Sequence, residues 1–390
     1  MHWKEGSKSK VENREEFVLR YLRGEKLKDL CLEFRISRKT GCKFIKRFKE
    51  KGIEGLKDQS RRPHRLANMT NEFIEELILS MKMKYFTWGP KKLKKKLEQD
   101  YSMLTFPSVS TIAAILDRKG LTQVRPKRIK RCYSLSQLAE SHGPNDIWCI
   151  DFKGQFQMMN QQYCYPLTIS DHYSRYLLAC ECLAHPNAEE AFEAFHQCFK
   201  EYGLPRIIRS DNGGPFVSVN SLYGLSRLSV WFIQLGIQLE RIEPGHPEQN
   251  GRHERMHRTL KWEALQTVAT NLLQQQEVMD CFQERYNKER PHEALKMETP
   301  AQHYHKSENL YLGINPKIEY PPSWWTRFVD DTGHIFLGNQ NRVRISKVFH
   351  GLPLGLMEID KGWWIRYCKY DIGIIDRTTL KFEPFEVLDD

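Results

Sequence analysis

The chain has 390 residues, of which 40% are hydrophobic and 28% charged, a balance that allows several folded domains and excludes a disordered chain. Its net charge of +11 is uneven, because residues 1–143 hold 34 Lys and Arg against 17 Asp and Glu and the rest is net negative. The basic front predicts a polyanionic partner, most simply nucleic acid.

The ten cysteines form no Cys-x-x-Cys pair, so we expect reduced, buried thiols and no structural zinc. The sequence also has no secretory signal and no apolar run of 18 residues. A cytosolic protein, bound to the bacterial nucleoid when on DNA, is the expectation.

Residues 1–56 carry the pattern of a helix-turn-helix domain. Ser37 is placed to cap its third helix, with Cys42, Ile45 and Phe48 predicted to face inward. The rest of this helix is basic and fits the major groove of DNA, although a solvated helical face is the alternative. We expect DNA contacts from Arg38, Lys39, Lys43, Lys46 and Arg47.

A second helical unit, of helix-turn-helix or winged-helix type, is predicted for residues 71–121. Basic linkers precede and follow it at residues 57–70 and 122–143. Two such units suit a long DNA site better than one alone. Further DNA contacts are expected from Arg61, Arg62, Lys91, Lys92, Lys95, Arg125, Lys127 and Arg128.

Residues 144–305 alternate between strand and helix patterns, which predicts an α/β domain with a mixed sheet and flanking helices. Residues 320–390 contain short apolar runs separated by Gly and Asp, typical of a small all-β domain. The predicted elements of the α/β domain are strands at Trp148–Phe156, Tyr163–Ile169, Tyr176–Leu183 and Ile207–Ser210, and helices at Ala188–Tyr202, Ser221–Leu235, Asn250–Thr270 and Gln275–Tyr286.

Three acids lie within or next to these elements. Asp151 lies in the first strand, and Asp211 follows the fourth strand at an Asn-Gly-Gly turn, so a parallel pairing would bring the two together. Glu254 begins a helix after a loop rich in polar residues. Three neighbouring carboxylates need a cation, and oxygen ligands favour Mg²⁺ or Mn²⁺.

Several segments resemble the integrase-type DDE transposases of bacterial insertion sequences, relatives of retroviral integrases with an RNase H-like core. They are Ile147–Phe152, Leu167–Arg175, Ser210–Gly213, His246–Arg255 and Tyr286–Leu295. The resemblance implies that Asp151, Asp211 and Glu254 are the catalytic triad and hold two divalent metal ions per active site. It also implies that Arg258 and Lys261 guide a DNA phosphate and that residues 320–390 form a small β-barrel like that of integrases.

The third acid has an alternative. Glu248 lies nearer the family's usual distance from Asp211, whereas Glu254 follows Asn250-Gly251 by the family's interval and begins a helix. We choose Glu254, and the extra length then forms an insertion around Val217–Ser229. An ordinary ion pair with Arg258 is the structural alternative for Glu254.

The resulting hypothesis is a transposase that binds terminal inverted repeats, cleaves DNA and joins the 3′-hydroxyl ends to target DNA. The alternatives are a DNA-binding regulator with an inactive core and a structure-selective nuclease of the same fold. Because an element has two ends and the chain offers one triad, we expect a dimer or larger oligomer on double-stranded DNA. The insertion around Val217–Ser229 and the β domain are its candidate contacts.

Overall fold

The computed structural model describes residues 9–59, 70–122, 138–218, 220–338 and 341–389. The chain divides into two compact units, Met1–Thr70 and Asn71–Asp390.

The first unit contains three helices, α1 (Lys10–Leu22), α2 (Leu27–Glu33) and α3 (Arg38–Lys51), followed by a 3-10 turn at Gly52–Leu56. The Ser37 hydroxyl accepts a hydrogen bond from the backbone of Thr40 and caps α3, as predicted. The three helices enclose a small core that includes Phe17, Leu30, Phe34, Ile45 and Leu56.

The inward side of α3 differs from the prediction at one position. Cys42 is exposed, and Gly41 and Phe44 are buried instead, while Ile45 is buried as predicted. Gly41 is required there, because a Cβ atom at this position would lie 2.8 Å from the ring of Phe17. The spacing of polar and apolar residues along α3 does not reveal this close approach of α1 and α3.

The second unit begins with three more helices, α4 (Glu72–Lys84), α5 (Pro90–Asp100) and α6 (Val109–Arg118). Caps at Asn71 and Ser108 and a proline at the first position of α5 fix where these helices start. Residues 70–122 contain three helices and no strand. Its core consists of Ile78, Tyr85, Trp88, Leu93, Leu97 and Ile112, among others.

A six-stranded mixed sheet forms the centre of the second unit. The strands are β1 (Ile147–Phe152), β2 (Phe156–Gln157), β3 (Tyr163–Asp171), β4 (Leu177–Leu183), β5 (Ile207–Ser210) and β6 (Gln238–Arg241). The main path runs β4-β3-β1-β5-β6, with antiparallel pairing on the β3 side of β1 and parallel pairing on the β5 side. The short β2 pairs with the start of β3. The predicted mixed sheet is confirmed.

Helices cover both faces of this sheet. The first face packs α7 (Ala188–Tyr202) and α8 (Arg227–Gln234) through an aromatic core that includes Trp148, Phe195, Phe199 and Phe232. The second face packs α9 (Gly251–Glu263) and α10 (Leu272–Glu284), which continues as a π turn at Arg285–Glu289. Three antiparallel strands followed by two parallel ones, with helices on both faces, form an RNase H-like core.

Several boundaries differ from the predictions. The first strand ends at Phe152 rather than Phe156, because Gly154 adopts a positive φ of 92° and turns the chain. The two long predicted helices shorten to α8 and α9. Strand β6 was not predicted, since its sequence Gln-Leu-Glu-Arg has neither an apolar run nor a β-branched residue.

The C-terminal region is all-β, as predicted. Its strands are β7 (Trp325–Phe328), β8 (His334–Leu337), β9 (Asn341–Arg344), β10 (Pro353–Ile359), β11 (Gly362–Tyr367), β12 (Tyr370–Asp376) and β13 (Phe382–Asp389). A five-stranded antiparallel sheet has the order β13-β12-β11-β10-β7, and β8 pairs separately with β9. In the described residues β7 and β13 are opposite edges of an open sheet, so a closed barrel is not confirmed.

The insertion around Val217–Ser229 packs against this C-terminal sheet within the same chain. The Tyr223 hydroxyl donates to the carbonyl of Ile372 at 2.8 Å. The Tyr367 hydroxyl donates in turn to the carbonyl of Val230 at 3.1 Å. The two surfaces suggested as contacts between protomers therefore contact each other.

Candidate active site

Strand pairing places Asp151 next to Asp211. Strands β1 and β5 are parallel, with Ile150 opposite Ser210, and each aspartate is the next residue of its chain. Neighbouring strands lie ~4.8 Å apart, so the two carboxylates leave adjacent positions of the sheet. The predicted pairing of these two strands is the one that the structure has.

The turn after β5 is shaped around the Asp211 carboxylate. The backbone N–H of Gly213 donates to Asp211 Oδ1 at 3.0 Å, and the Asn212 side chain donates to the carbonyl of Ile242 at 2.7 Å. A Cβ atom on Gly213 would lie 3.1 Å from Asp211 Oδ2, so a larger residue would crowd the carboxylate. Asn212 and Gly213 therefore fix the direction in which Asp211 points.

Asp151 lies in an environment that opposes its ionisation. Burial is the main cause, the negative charge of Asp211 adds to it, and together with the charge of Glu254 they raise the pKa of Asp151 to about 7. Its side chain is 24% exposed. A carboxyl group held in this way has an excess of negative charge around it, which a cation would relieve.

Glu254 lies in the first turn of α9 and is exposed. The negative charge of Glu254 is close enough to Asp151 to help raise its pKa, so Glu254 belongs with the two aspartates in the candidate site. Within the described residues it forms no ion pair with Arg258, the structural alternative considered above. The side chain of Glu248 lies outside the described part of the structure.

The three carboxylates form an open arrangement. Among the described residues, no three His, Cys, Asp or Glu side chains are close enough to hold a metal ion. The donor chemistry nevertheless fits a hard divalent cation, because all three candidate ligands are carboxylates. The raised pKa of Asp151 is consistent with a site whose charge a cation would balance.

Two buried histidines attach α9 to the sheet beside Asp151. His253 and His257 are one turn apart, and the Nε2 atom of each lies 2.7 Å from the hydroxyl oxygen of Thr168. Thr168 is directly opposite Asp151 in the β1–β3 pairing, and its hydroxyl donates to the Asp151 carbonyl at 3.0 Å. The hydroxyl has one proton, so it accepts from both imidazoles, and both carry their proton on Nε2.

This tautomer leaves the Nδ1 atoms as acceptors. The Ser170 hydroxyl lies 2.7 Å from Nδ1 of His253, and Oδ2 of Asp151 lies 3.6 Å from Nδ1 of His257. Burial lowers the pKa of His253 to about 3 and that of His257 to about 2, so both rings are neutral near pH 7.

This group was not identified in the sequence analysis. Two patterns could have revealed it: the polar Thr168 and Ser170 alternate with Leu167 and Ile169 on β3, and the histidines share the buried side of α9 with Met256 and Leu260.

Asp171 lies outside the candidate site. It is 1% exposed and accepts hydrogen bonds from the backbone of Asn145 at 2.8 Å and from the backbone and hydroxyl of Ser174. These contacts hold the turn after β3, so Asp171 is structural.

The predicted DNA contacts are placed mostly on exposed surfaces. In α3, Arg47 is partly buried and donates to Gln59 at 2.8 Å, while the other candidates are exposed: Arg38, Lys39, Lys43 and Lys46. Arg258 and Lys261 are exposed on α9, on the same side as Glu254. The remaining candidates on linkers lie outside the described residues: Arg61, Arg62, Arg125, Lys127 and Arg128.

The three lysines of α5 that are predicted DNA contacts differ in their surroundings. Lys91 is exposed, and its Nζ atom lies 3.9 Å from Glu293 of the core, which makes a weak surface pair. Lys92 and Lys95 are partly buried. All three remain candidates for DNA contact.

Comparisons with known proteins agree with this architecture. Integrase core domain models match residues 141–247 and 235–300, a helix-turn-helix domain model matches residues 13–64, and a homeodomain-like domain model matches residues 40–116. Within the described part of the chain, no helix has the length and apolar character needed to cross a membrane.

Relatives come from insertion elements. An uncharacterized 39.2 kDa protein of insertion element IS476 from Xanthomonas euvesicatoria is 30% identical over 203 residues, which is 50% of this chain and 56% of that protein. The transposase for insertion sequence element IS904 from Lactococcus lactis is 25% identical, over 47% of this chain and 68% of its own length. The chain thus spans little more than half of the first of these relatives.

Solved structures of viral integrases align with part of this chain. The catalytic core domain of HTLV-2 integrase in complex with magnesium has a TM-score of 0.34 and 18% identity, covering 43% of this chain and 100% of that one. The simian T-cell lymphotropic virus intasome has a TM-score of 0.37 and 15% identity, covering 79% and 97%.

Proposed function

We propose that this chain is the transposase of an insertion sequence, because integrase core and helix-turn-helix domain models match it and its relatives include insertion-element proteins. In this proposal it is a DDE polynucleotidyl transferase. Its front domains bind the terminal inverted repeats of the element. Its core cleaves DNA at the ends and joins the resulting 3′-hydroxyl groups to target DNA.

One observation carries the proposal, namely the parallel pairing of β1 and β5 that puts Asp151 beside Asp211. Glu254 is the third acid in the proposal, because its charge acts on Asp151 and its helix is attached to the sheet beside that residue. Asp151, Asp211 and Glu254 are the side chains that would hold the cofactor. When bound, two divalent cations, Mg²⁺ or Mn²⁺, would neutralise these carboxylates and stabilise the charge that develops on the scissile phosphodiester.

The residues around the acids have separate roles in the proposal. His253 and His257 hold α9 on Thr168, which fixes the start of the helix and therefore Glu254. Arg258 and Lys261 follow Glu254 by one and two helical turns, and their exposed cations would hold a phosphate of the bound strand. The basic residues of α3 and α5 would hold the duplex at the terminal repeat, mainly through its phosphates.

The test uses the full chain and labelled duplexes taken from the DNA that borders its gene, with a supercoiled plasmid as target. We expect a nick at the end of the inverted repeat and covalent joining of that end to the plasmid, both with Mg²⁺ or Mn²⁺ and neither with EDTA. Binding without cleavage would indicate a regulator with an inactive core. Cleavage of any branched or plain duplex without joining would indicate a nuclease.

We also infer that the active species contains at least two protomers, since two ends must be joined and each chain has one set of acids. Light scattering on a complex with two terminal repeats should give a mass of two or more chains. One chain per pair of ends, with joining at full rate, would refute this.

A further inference from the structure

The turn between α4 and α5 contacts the core at the far end of α9, the helix that carries Glu254. The Thr87 hydroxyl donates to Oε1 of Glu263, and the Tyr85 hydroxyl donates to Oε2 of Glu289. Glu263 is the last residue of α9. The second helix-turn-helix unit is therefore attached to the same helix as the third acid of the candidate site.

Glu263 is a buried charge with partners on two sides. Its side chain is 7% exposed, and Arg290, 11% exposed, donates through Nη1 to the same Oε1 atom that accepts from Thr87. A carboxylate at the last position of a helix lies at the negative end of the helix dipole, so it needs these donors to be tolerated there. Thr87 and Arg290 thus connect three segments at one carboxylate.

Aromatic rings make this junction rigid. Trp88 is 1% exposed, and its ring stacks on that of Tyr85 with centroids 4.0 Å apart. The guanidinium of Arg290 lies 5.9 Å from the centre of the Trp88 ring. The Nζ atom of the buried Lys82 donates to the carbonyls of Phe86 and Trp88, at 2.5 and 3.0 Å, which closes the turn on itself.

A buried ion pair contributes little net stability, but it tolerates only one arrangement of its partners, because a lost partner leaves an uncompensated charge. Glu254 and Glu263 are nine residues apart on one helix, which corresponds to ~13 Å along its axis. That distance equals about four nucleotide steps of a DNA strand. The junction therefore holds the helix-turn-helix unit at a fixed, short distance from the candidate site.

We propose that Thr87, Glu263 and Arg290 are positioning residues that determine which phosphodiester is cut, by fixing where DNA bound to residues 71–121 reaches the acids. This inference rests on the proposed function. It assigns to the junction a role in the accuracy of cleavage, in addition to its role in folding. Loosening the junction should therefore change the position of the cut more than the strength of DNA binding.

The experiment maps the cut at nucleotide resolution on a duplex that carries a terminal repeat, using the full chain and Mn²⁺. Thr87→Val and Glu263→Gln keep the shape of each side chain and remove the hydroxyl or the charge. We expect the wild-type protein to cut at one phosphodiester and both variants to cut at that position and at neighbouring ones. Their affinity for the duplex should stay within about threefold of wild type, since phosphate contacts dominate binding.

Thr122→Val is the matched control, because the Thr122 hydroxyl donates to Asp117 at 2.8 Å, away from the junction. It should cut at the wild-type position. Tyr85→Phe, which removes only the hydroxyl that donates to Glu289, provides a milder variant if either of the others unfolds. A single cut at the wild-type position and rate in all of the folded junction variants would overturn the inference, whereas a wild-type protein that makes no cut would overturn the proposed function instead.

Discussion

The two faces of the central sheet are built from alternating residues of the same strands but differ in chemistry. On β1, Trp148 and Ile150 belong to the apolar core against α7 and α8, whereas Asp151 faces the histidines of α9. On β3, Thr168 and Ser170 place hydroxyl groups on the same polar side. The first face stabilises the fold by burial alone, whereas the second adds to its apolar cluster a set of hydrogen bonds that fix the candidate site.

The largest effect is expected on the apolar face. Phe195 is fully buried, with ring contacts to Phe199, Phe216 and Phe232. Phe195→Ala should lower the free energy of unfolding by about 3–5 kcal/mol, as measured by urea denaturation. Phe192→Ala, at a ring 37% exposed, is the control and should cost less. Equal losses for the two variants would contradict the assignment of this face as the main source of stability.

Ionisation of Asp151 should give the next largest effect. Folding raises its pKa to about 7, so the stability from its bound proton is complete below about pH 4 and is lost as the pH rises through 7. In EDTA at pH 8, Asp151→Asn should therefore be more stable than wild type by about 2–4 kcal/mol, a gain that vanishes near pH 4. Thermal unfolding measures it, with Asp331→Asn at an exposed turn as the control.

Mn²⁺ at pH 8 should stabilise the wild-type protein and leave Asp151→Asn unchanged, because the cation needs the ionised carboxylate. If Asp151→Asn in EDTA were more stable than wild type by the same amount at every pH, the raised pKa of Asp151 would be contradicted.

A smaller effect is expected at the hydroxyl that holds α9. Thr168→Val should lower the free energy of unfolding by about 1–3 kcal/mol, because the Nε2–H groups of His253 and His257 lose their acceptor in a buried place. Cleavage should slow as Glu254 is held less firmly. Thr168→Ser keeps the hydroxyl and should retain most of the stability and most of the cleavage rate. A Thr168→Val protein with wild-type stability would show that the polar face does not need the contact between this hydroxyl and the two histidines.

The smallest effect is expected on the outer side of α9. Lys261 is exposed, so Lys261→Ala should leave stability unchanged and weaken binding to terminal-repeat duplex by about 1 kcal/mol, with a salt dependence reduced by about one phosphate contact. Affinity measured by fluorescence anisotropy at several salt concentrations checks this, with Lys200→Ala, exposed on α7 at the opposite face of the sheet, as the control. An unchanged salt dependence would remove Lys261 from the DNA surface.

The sequence was sufficient for the parts of the fold that local patterns determine. Branched residues before Asp211 predict β5, and the Asn-Gly-Gly turn predicts its end. The alternation of strands and helices predicts a mixed sheet, and its pairing brings Asp151 to Asp211. These predictions depend on residues close together in the chain or on the general rule that parallel strands end at a common edge.

What could not be predicted depends on contacts between distant residues. The polar strand β6 forms only because β5 offers it a parallel partner. His253 and His257 are 85 and 89 residues from Thr168, so the sequence does not show that one hydroxyl serves both rings. The junction of Thr87 with Glu263 is likewise formed by residues 176 positions apart. Each of these features is tertiary, and a local pattern carries no signal of the partner.

The most direct test compares three acid variants for metal-dependent cleavage of a terminal-repeat duplex: Asp151→Asn, Glu254→Gln and Glu248→Gln. We predict that Asp151→Asn and Glu254→Gln bind the duplex like wild type but make no cut with Mg²⁺ or Mn²⁺, because each loses a carboxylate ligand. Glu248→Gln should cut normally. Cleavage by Glu254→Gln together with its loss in Glu248→Gln would contradict the assignment of Asp151, Asp211 and Glu254 as one site.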